Sequence, residues 1–374
     1  MKTTALRWKM ADGWTGSADP VDGDVALVLY FAAPAALVPA APWRELARRF
    51  PNAQVVGCST GGEISGDEVL DDSVVAVAIR FAAARIAVVQ QQIGEDSEAA
   101  GRGLAEALDH DGLKGVMVLS DGTLVNGSAL VRGLRGNLPE AVAITGGLAG
   151  DGAAFQQTRV GVNGEPTPGT IAAIGFYGEG LDIRHGSFGG WDSFGPQRLI
   201  TRSWGNILYE LDGQPALDLY RRYLGEEAEQ LPGSALLYPL RIRETAASET
   251  DVVRTVVGID EGSRAMVFAG DVPKGYVAQL MRGNFDRLIA GAGTAAEQTG
   301  VSDGPGLAIL ISCIGRKLLL GPRIAQEVEA VVEALGQGIE AVGFYSYGEI
   351  SPHGFTKTCE LHNQTMTITV IREV

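Results

Sequence analysis

The chain has 374 residues, enough for two or three domains of ordinary size. Its formal net charge of −15 argues against a role on nucleic acid or on anionic membrane surfaces, since both repel an acidic protein. It contains 51 glycines, about twice the usual share, while 45% of its residues are hydrophobic, which excludes disorder and collagen-like structure.

The cysteines and the apolar runs bear on the compartment. Cys58, Cys313 and Cys359 are scattered and odd in number, so they form neither a disulfide framework nor a zinc pattern. The first twenty residues lack an apolar signal core, and no apolar run approaches the ~18 residues that a membrane span requires. We therefore expect a cytoplasmic protein without membrane insertion.

Three strand–helix–strand patterns follow one another along the chain. Their hydrophobic periodicity predicts strands at 25–31 and 54–57 around a helix at 43–50, strands at 116–119 and 141–145 around a helix carrying Leu124, Leu130 and Leu134, and strands at 307–313 and 341–345 around a helix that begins at Pro322 and ends at Gly336.

Each unit closes on a glycine-rich polar turn, which begins at Gly57, Gly146 or Gly343. The first and third turns share the string Gly-Glu-Ile-Ser, at 62–65 and 348–351. Further strands follow, and neighbours in sequence are expected to form hairpins, 74–81 with 85–93 and 170–177 with 181–188.

These patterns predict an α/β (mixed α+β) fold with internally duplicated strand–helix–strand units that form mixed sheets in two related modules. Glycine and proline cluster at 186–196, so we place the module boundary there, giving 1–195 and 196–374.

Parallel strands of one unit end at the same edge of the sheet, where open α/β sheets usually bind ligands. The predicted ligand-binding residues at these edges are Ser59, Thr60, Glu63, Asp151, Arg316, Tyr347, Glu349 and His362. Arg316 would clamp a carboxylate and Glu349 would take an ammonium, a pair that suits an α-amino acid. The alternatives are that these two form a salt bridge with each other, that Asp151 closes its own turn, and that His362 is a hydrogen-bonded structural residue.

The segment Gly57–Gly61 fits the G-x-S-x-G pattern of a hydrolase nucleophile elbow, with Ser59 or Cys58 as the nucleophile. That motif requires a helix directly after it, and residues 62–67 show no helical period. The hydrolase is therefore an alternative, and a glycine turn whose hydroxyls cap backbone groups fits better.

Several of these motifs together resemble the FIST sensory domains. They are the turns at Gly57–Ile64, Gly146–Gly152 and Gly343–Ile350, the runs Trp204–Asn206 and Asp212–Leu217, the pair Gly315–Arg316 and the segment His362–Thr365. The resemblance covers nearly the whole chain, as an N-terminal FIST module to residue 195 and a C-terminal one after it.

The resemblance implies an intracellular sensory protein in signal transduction that binds small molecules such as amino acids. We expect it to be non-enzymatic, with no metal or cofactor. Such domains are often joined to histidine kinases, diguanylate cyclases or chemoreceptor parts. The two modules use all 374 residues, so the expected partner is a separate signalling protein such as a histidine kinase or cyclase. Some similar proteins bind haem and sense nitric oxide, an alternative in which His362 or His353 would be the iron ligand.

Overall fold

The structure is a computed structural model that describes residues 1–16, 24–37, 41–231, 233–248, 250–352 and 358–374. Within these residues, three six-stranded sheets and one nine-stranded sheet carry the fold. The predicted fold class, a mixed α/β protein built from repeated strand–helix–strand units, is confirmed.

The elements follow in chain order. The first part of the chain forms β1 (Lys2–Lys9), β2 (Gly13–Gly16), β3 (Leu27–Ala32), α1 (Pro34–Leu37), α2 (Pro42–Arg49), β4 (Gln54–Ser59), β5 (Glu63–Ser65), β6 (Glu68–Leu70), β7 (Ser73–Arg80), β8 (Arg85–Gln92) and α3 (Ser97–Ala107). The second part forms β9 (Leu113–Ser120), α4 (Gly127–Arg135), β10 (Ala143–Leu148), β11 (Val160–Val162), β12 (Thr170–Tyr177) and β13 (Leu181–Phe188).

Residues 192–282, called the insert lobe below, form the nine-stranded sheet. The lobe contains β14 (Asp192–Ser193), β15 (Arg198–Trp204), β16 (Ile207–Leu211), β17 (Gln214–Pro215), α5 (Ala216–Leu224), β18 (Leu240–Arg243), β19 (Val252–Arg254), β20 (Val256–Asp260), β21 (Ala265–Phe268) and β22 (Val277–Arg282), with 3₁₀ segments at Gly225–Gln230 and Gly233–Leu237. The last part forms α6 (Phe285–Gln298), β23 (Gly306–Cys313), α7 (Ile314–Leu320), a 3₁₀ segment at Gly321–Arg323, α8 (Ile324–Leu335), β24 (Ile339–Ser346), β25 (Gly348–Pro352), β26 (Cys359–His362) and β27 (Met366–Glu373).

Each six-stranded sheet is centred on one of the three predicted units. The parallel pairs are β3–β4, β9–β10 and β23–β24, and on one side each pair has the antiparallel neighbour β7, β12 or β27. The helices α2, α4 and α8 make the crossovers, because parallel neighbours need a long connection between them.

The two predicted hairpins, 74–81 with 85–93 and 170–177 with 181–188, are wrong. Strand β8 pairs with β12 and β13 pairs with β27, while β7 lies between β3 and β1. The connections at 81–84 and 178–180 lack the Asn-Gly or Asp-Gly pair that favours a two-residue hairpin. They carry the chain into the next sheet instead.

Strand exchange also occurs on the other side of each unit. The strand after each glycine-rich turn leaves its own sheet, so β5 pairs with β24, β11 with β4 and β25 with β10. The exchange is cyclic. The first and last strands are also linked, because the amino group of Met1 forms an ion pair with Oε2 of Glu373 at 3.1 Å. Because sheets draw strands from both sides of residue 195, residues 1–195 and 196–374 share sheets, and the module boundary there stays a prediction.

The three glycine-rich turns meet in a ring of backbone hydrogen bonds, called the turn ring below. Its members are residues 59–63, 148–152 and 345–349. The N–H of Gly150 donates to Ser59 at 3.0 Å, that of Tyr347 to Leu148 at 3.1 Å, and that of Gly61 to Tyr345 at 2.8 Å. Each bond links two different units, so the ring holds the three sheets together.

The glycine that begins each turn lets its strand lie close to the parallel neighbour. A Cβ on Gly343 would lie 1.8 Å from the carbonyl oxygen of Leu310, and the equivalent Gly57 and Gly146 would clash with Tyr30 and Val118 in the same way. No side chain larger than hydrogen fits at this position.

The inner core is shared by all three six-stranded sheets. Phe31 and Phe344, from the first and third units, stack with ring centroids 4.8 Å apart inside it. The insert lobe has a separate core, which includes Ile200, Tyr220 and Phe268. Among the described residues, no helix has the length and apolar character to cross a membrane.

The turn ring buries two carboxyl groups at equivalent positions. Glu63 accepts hydrogen bonds from the Thr60 and Ser73 hydroxyls, and Glu349 accepts from Ser346 and Thr365. Burial raises the pKa of Glu63 to about 7 and that of Glu349 to about 8, although the hydroxyl donors act in the opposite direction.

We predict that G343A lowers the free energy of unfolding by about 3 kcal/mol, because the added methyl group overlaps the Leu310 carbonyl. Urea unfolding of the full chain measures the change. The control is G94A, since a Cβ on Gly94 meets nothing within 4 Å, and we expect its effect to stay within about 0.5 kcal/mol. Equal unfolding midpoints for the two variants would contradict the close approach of the strands.

We also predict that the protein becomes more stable as the pH falls from 8.5 to 6. The raised pKa of Glu63 and Glu349 means that the folded chain keeps protons which the unfolded chain, with carboxyl pKa values near ~4.3, releases. Above the folded pKa, both carboxyl groups are ionised in the folded and in the unfolded chain. The folded state then bears the full free-energy cost of burying the two charges.

E349Q should reduce the slope of this pH dependence, because a carboxamide does not titrate and only Glu63 of the pair remains. The matched control is E333Q, on the exposed face of α8, which should keep the wild-type slope. Urea unfolding at several pH values gives the slopes. A wild-type free energy that is flat or rises with pH over this range would refute the prediction, as would an E349Q slope equal to that of the wild type.

Candidate functional site

A cavity of ≈ 390 Å³ lies between the insert lobe and the ends of β9 and β10, and is called the interlobe cavity below. Its lining consists of Gly122, Thr123, Leu124, Val125, Asn126, Leu148, Phe155 and Tyr347 from the three-sheet body, and of Asn206, Val257, Phe268, Ala269 and Gly270 from the lobe. This is the carboxyl edge of a parallel strand pair, the kind of place where the sequence predicted a ligand pocket.

Of the predicted residues, Tyr347 and Asp151 come together at this cavity. The Tyr347 hydroxyl donates to Asp151 and accepts the N–H of Phe155 at 3.2 Å. The other carboxylate oxygen of Asp151 accepts the N–H groups of Gln156 at 2.9 Å and Gln157 at 2.8 Å. Asp151 therefore closes its own turn, which is the alternative that the sequence left open, and Tyr347 forms part of the wall.

Tyr347 occupies a position that is glycine in the other two turns. In the turn ring, Gly61 and Gly150 donate the hydrogen bonds equivalent to that of Tyr347. Burial, together with the bond to Asp151, raises the pKa of the Tyr347 hydroxyl, so it stays a neutral donor. The repeated scaffold is thus modified at one of three equivalent places, and that place faces the cavity.

Exposed apolar side chains surround the opening of the cavity. Leu124 is 59% exposed, Phe155 44% and Val257 43%, so both the body and the lobe expose apolar surface here. Phe155 has a φ of 51°, a conformation that is unfavourable for a bulky residue, and its ring stacks on Tyr347 with centroids 4.6 Å apart. Exposed apolar surface in a concave site is typical of a ligand-binding site.

The polar groups of the cavity are neutral. Nδ2 of Asn206 donates to the Phe268 carbonyl at 2.7 Å, and its Oδ1 makes no hydrogen bond within the described residues. The Thr123 hydroxyl donates to Asp121 at 3.0 Å and keeps its acceptor capacity. The described lining contains no charged side chain.

A polar latch beside the cavity joins the lobe to α4. Asp271 of the lobe accepts from Arg132 at 2.7 Å and from Nδ2 of Asn126 at 2.9 Å, while its N–H donates to Ser128 at 3.2 Å. Asn126 also caps the N-terminus of α4 through its Oδ1. The latch fixes the lobe against the body at one side of the cavity.

Arg316 has no donor turned to the cavity. It is fully buried, and its Nε donates to Glu327 at 2.5 Å. Its remaining nitrogens donate to the carbonyls of Gly189, Leu288 and Gln364. The alternative, a salt bridge between Arg316 and Glu349, is wrong, since the partner is Glu327. The predicted role as a carboxylate clamp is corrected as well, because protein groups already take these donors.

Four other predicted residues lie inside the turn ring. Ser59, Thr60, Glu63 and Glu349 are buried, and their side chains are hydrogen-bonded within the protein: Ser59 accepts from Arg159, Thr60 donates to Glu63, and Glu349 accepts from Thr365. They position the ring and do not line the interlobe cavity.

The nucleophile elbow does not form at Gly57–Gly61. The chain enters β5 at Glu63, so no helix follows the motif, and Ser59 accepts the N–H of Arg159 at 2.9 Å. Burial raises the pKa of the Cys58 thiol, which keeps it protonated.

His362 is buried at the end of β26, where Nε2 lies 3.0 Å from the carbonyl oxygen of Ser351. An axial haem ligand needs a ring nitrogen free to bind iron, so Nε2 does not fit that role. His353 lies outside the described residues. Within the described part of the chain, no cluster of three or more histidine, cysteine, aspartate or glutamate side chains is arranged to hold a metal ion.

Sequence reasoning missed Phe155, Asn206 and Val257. Phe155 and Val257 carry no signal beyond an apolar side chain in a loop or on an edge strand, which many surface residues share. Asn206 belongs to the run Trp204–Asn206 that carries the family resemblance, but that resemblance assigned it no role in the site. Leu124 was assigned to a helix, but α4 begins after the cap Asn126, and Leu124 is left in the loop that lines the cavity.

Comparison with known proteins gives the family. A FIST N domain model matches residues 26–214 and a FIST C domain model matches residues 216–352. The uncharacterized protein MJ1623 of Methanocaldococcus jannaschii is 21% identical in an alignment 343 residues long, which covers 81% of this chain and 65% of that protein. This chain therefore spans somewhat less than two thirds of that relative's length.

Two solved structures align with almost the whole chain, at low TM-scores and low sequence identity. The crystal structure of cyanuric acid hydrolase from A. caulinodans has a TM-score of 0.37 at 10% identity and covers 99% of both chains. A second cyanuric acid hydrolase structure, described as an evolutionary innovation by structural concatenation, has a TM-score of 0.33 at 11% identity, covering 100% of this chain and 99% of that one. Because the two domain models together match most of the sequence, this chain belongs to the FIST family, whose domains are sensory domains of signal transduction.

Proposed function

We propose that this protein is a ligand-binding sensor whose small-molecule site is the interlobe cavity. The observation that carries the proposal is the group of three exposed apolar side chains, Leu124, Phe155 and Val257, around one cavity between two lobes. Exposing that surface to water is unfavourable, and a ligand with an apolar face would cover it.

The lining favours an uncharged ligand with a flat apolar part. Phe155 offers a ring face for stacking, and the Asn206 oxygen accepts a hydrogen bond from a ligand donor. The sequence led us to expect an amino acid as the ligand, which is a more specific version of this proposal. Its carboxylate would meet no charged side chain in the described lining, so a neutral planar molecule matches the cavity better.

A ligand at this place would touch both lobes at once. It would therefore favour the lobe arrangement that it fits best, and the latch at Asp271 lies beside it. We propose that a separate signalling protein, such as a histidine kinase or cyclase, responds to that arrangement in the cytoplasm.

What supports a binding role over a catalytic one is the state of the two candidate nucleophiles. Ser59 and Cys58 are buried, and no helix follows their motif. For the haem alternative, no specific observation favours His362, whose Nε2 is already bonded.

The test is a thermal-shift and calorimetric screen of the full chain against the twenty amino acids and a set of neutral nucleobases and nucleosides. A ligand at about 100 times its Kd adds about 2.7 kcal/mol of stability. We expect a hit among the neutral planar compounds, and F155A should weaken its binding by about tenfold or more because the stacking surface is lost.

The matched control is F188A, which removes a phenylalanine of similar exposure from β13, outside the cavity lining. We expect it to leave the affinity unchanged. The proposal fails if no compound shifts the unfolding temperature, or if a hit binds F155A and the wild type equally.

A further inference from the structure

A second cavity, of ≈ 270 Å³, lies on the other side of the latch and shares no lining residue with the interlobe cavity. We call it the arginine cavity. Its lining consists of Ser128, Val131, Arg132 and Arg135 of α4, Ile242, Val252, Arg254, Asp271, Pro273 and Tyr276 of the lobe, and Cys359, Glu360 and Leu361 of β26.

Arg254 is a buried cation with no carboxylate bonded to it. Its residue is 5% exposed, and its guanidinium donates only to backbone carbonyls, those of Asp271 and Leu361 at 2.9 Å and that of Val253 at 3.3 Å. Its Nη2 forms no hydrogen bond within the described residues.

Comparison with Arg316 shows that Arg254 lacks a hydrogen-bonded carboxylate. Both guanidiniums are buried, but Arg316 has an ion pair with Glu327 at 2.5 Å. Burying a cation without a bonded anion is much less favourable than burying an ion pair. Burial lowers the pKa of Arg254 to about 10, although the nearby carboxylates of Glu360 and Asp271, which are not hydrogen-bonded to its guanidinium, act in the opposite direction, so it is still charged at neutral pH. An anion entering the cavity would supply the bonded partner.

The rest of the lining defines which anion fits. Arg135 is exposed and forms no hydrogen bond or ion pair with the described residues, so its donors are available at the rim. Arg132, Arg135 and Arg254 against Asp271 and Glu360 leave the lining with one net positive charge, in a chain of net charge −15. One negative charge balances that, whereas a phosphate dianion would leave one unbalanced negative charge beside the two carboxylates.

Apolar side chains form the remaining wall, among them Val131, Ile242 and Val252. We propose that the arginine cavity binds a small organic monocarboxylate with an aliphatic body. The carboxylate accepts from Nη2 of Arg254 and from Arg135, and the aliphatic part packs on the apolar wall. This inference does not depend on the proposed function, because the two cavities have separate linings.

The test is calorimetric titration of the full chain with 4-methylpentanoate, with its uncharged amide and with inorganic phosphate. We expect the carboxylate to bind and the amide to bind at least tenfold more weakly, since the amide cannot form charge-assisted bonds. Arg135→Gln should weaken carboxylate binding about tenfold without affecting folding, because Arg135 is exposed. Arg254→Gln should abolish it.

The matched control is Arg102→Gln, which removes an exposed arginine from α3, outside the cavity lining, and should leave the affinity unchanged. The proposal is overturned if the carboxylate produces no heat at tens of millimolar, if the amide binds equally well, or if phosphate binds more tightly. It is also overturned if Arg135→Gln binds like the wild type. The effect of F155A on binding of a neutral ligand is independent of these results. The proposal for each cavity is therefore tested separately.

Discussion

The ring of three backbone hydrogen bonds between the glycine-rich turns is the constraint on which the rest of the structure depends. Each bond joins turns of different units, from Gly150 to Ser59, from Tyr347 to Leu148 and from Gly61 to Tyr345. The ring is accompanied by strand exchange, because the chain that leaves each turn enters a neighbouring sheet. The same geometry explains part of the glycine content, since the strands that end in the ring approach their parallel neighbours too closely for a Cβ.

The interlobe cavity follows from a local departure from this repeat. Tyr347 stands where the other turns have glycine, and the ring places it over Asp151, which lies almost two hundred residues earlier in the chain. The insert lobe, which enters between β13 and α6, then closes the space above β9 and β10. A cavity made from three separate parts of the chain suits a sensor, because a ligand there bears on the arrangement of all three. The arginine cavity lies at the same lobe boundary and adds a charged site to a neutral one.

Much of the local structure is predictable from sequence, and much of the tertiary structure is not. Periodicity located the parallel strands and their helices, and the repeated Gly-Glu-Ile-Ser string marked two of the exchanged strands, β5 and β25. The hairpin assignments failed because sheet pairing is decided by the whole ring and not by closeness in sequence. Arg316 was wrongly assigned to a ligand. Its true partner, Glu327, lies on the next helix, and the helical pattern of the sequence does not tell whether a polar side chain there is buried. Arg254 carried no motif at all, and only its burial and its bonding identify it.

Native-state amide hydrogen exchange, followed residue by residue in low urea, tests the central role of the turn ring most directly. If the ring joins the three sheets into one cooperative unit, the amides of Gly61, Gly150 and Tyr347 exchange only through global unfolding, with one shared free energy and the full urea dependence. The contradicting result is that one of these amides exchanges at a clearly lower free energy with little urea dependence. That would mean that one sheet opens while the other two stay folded.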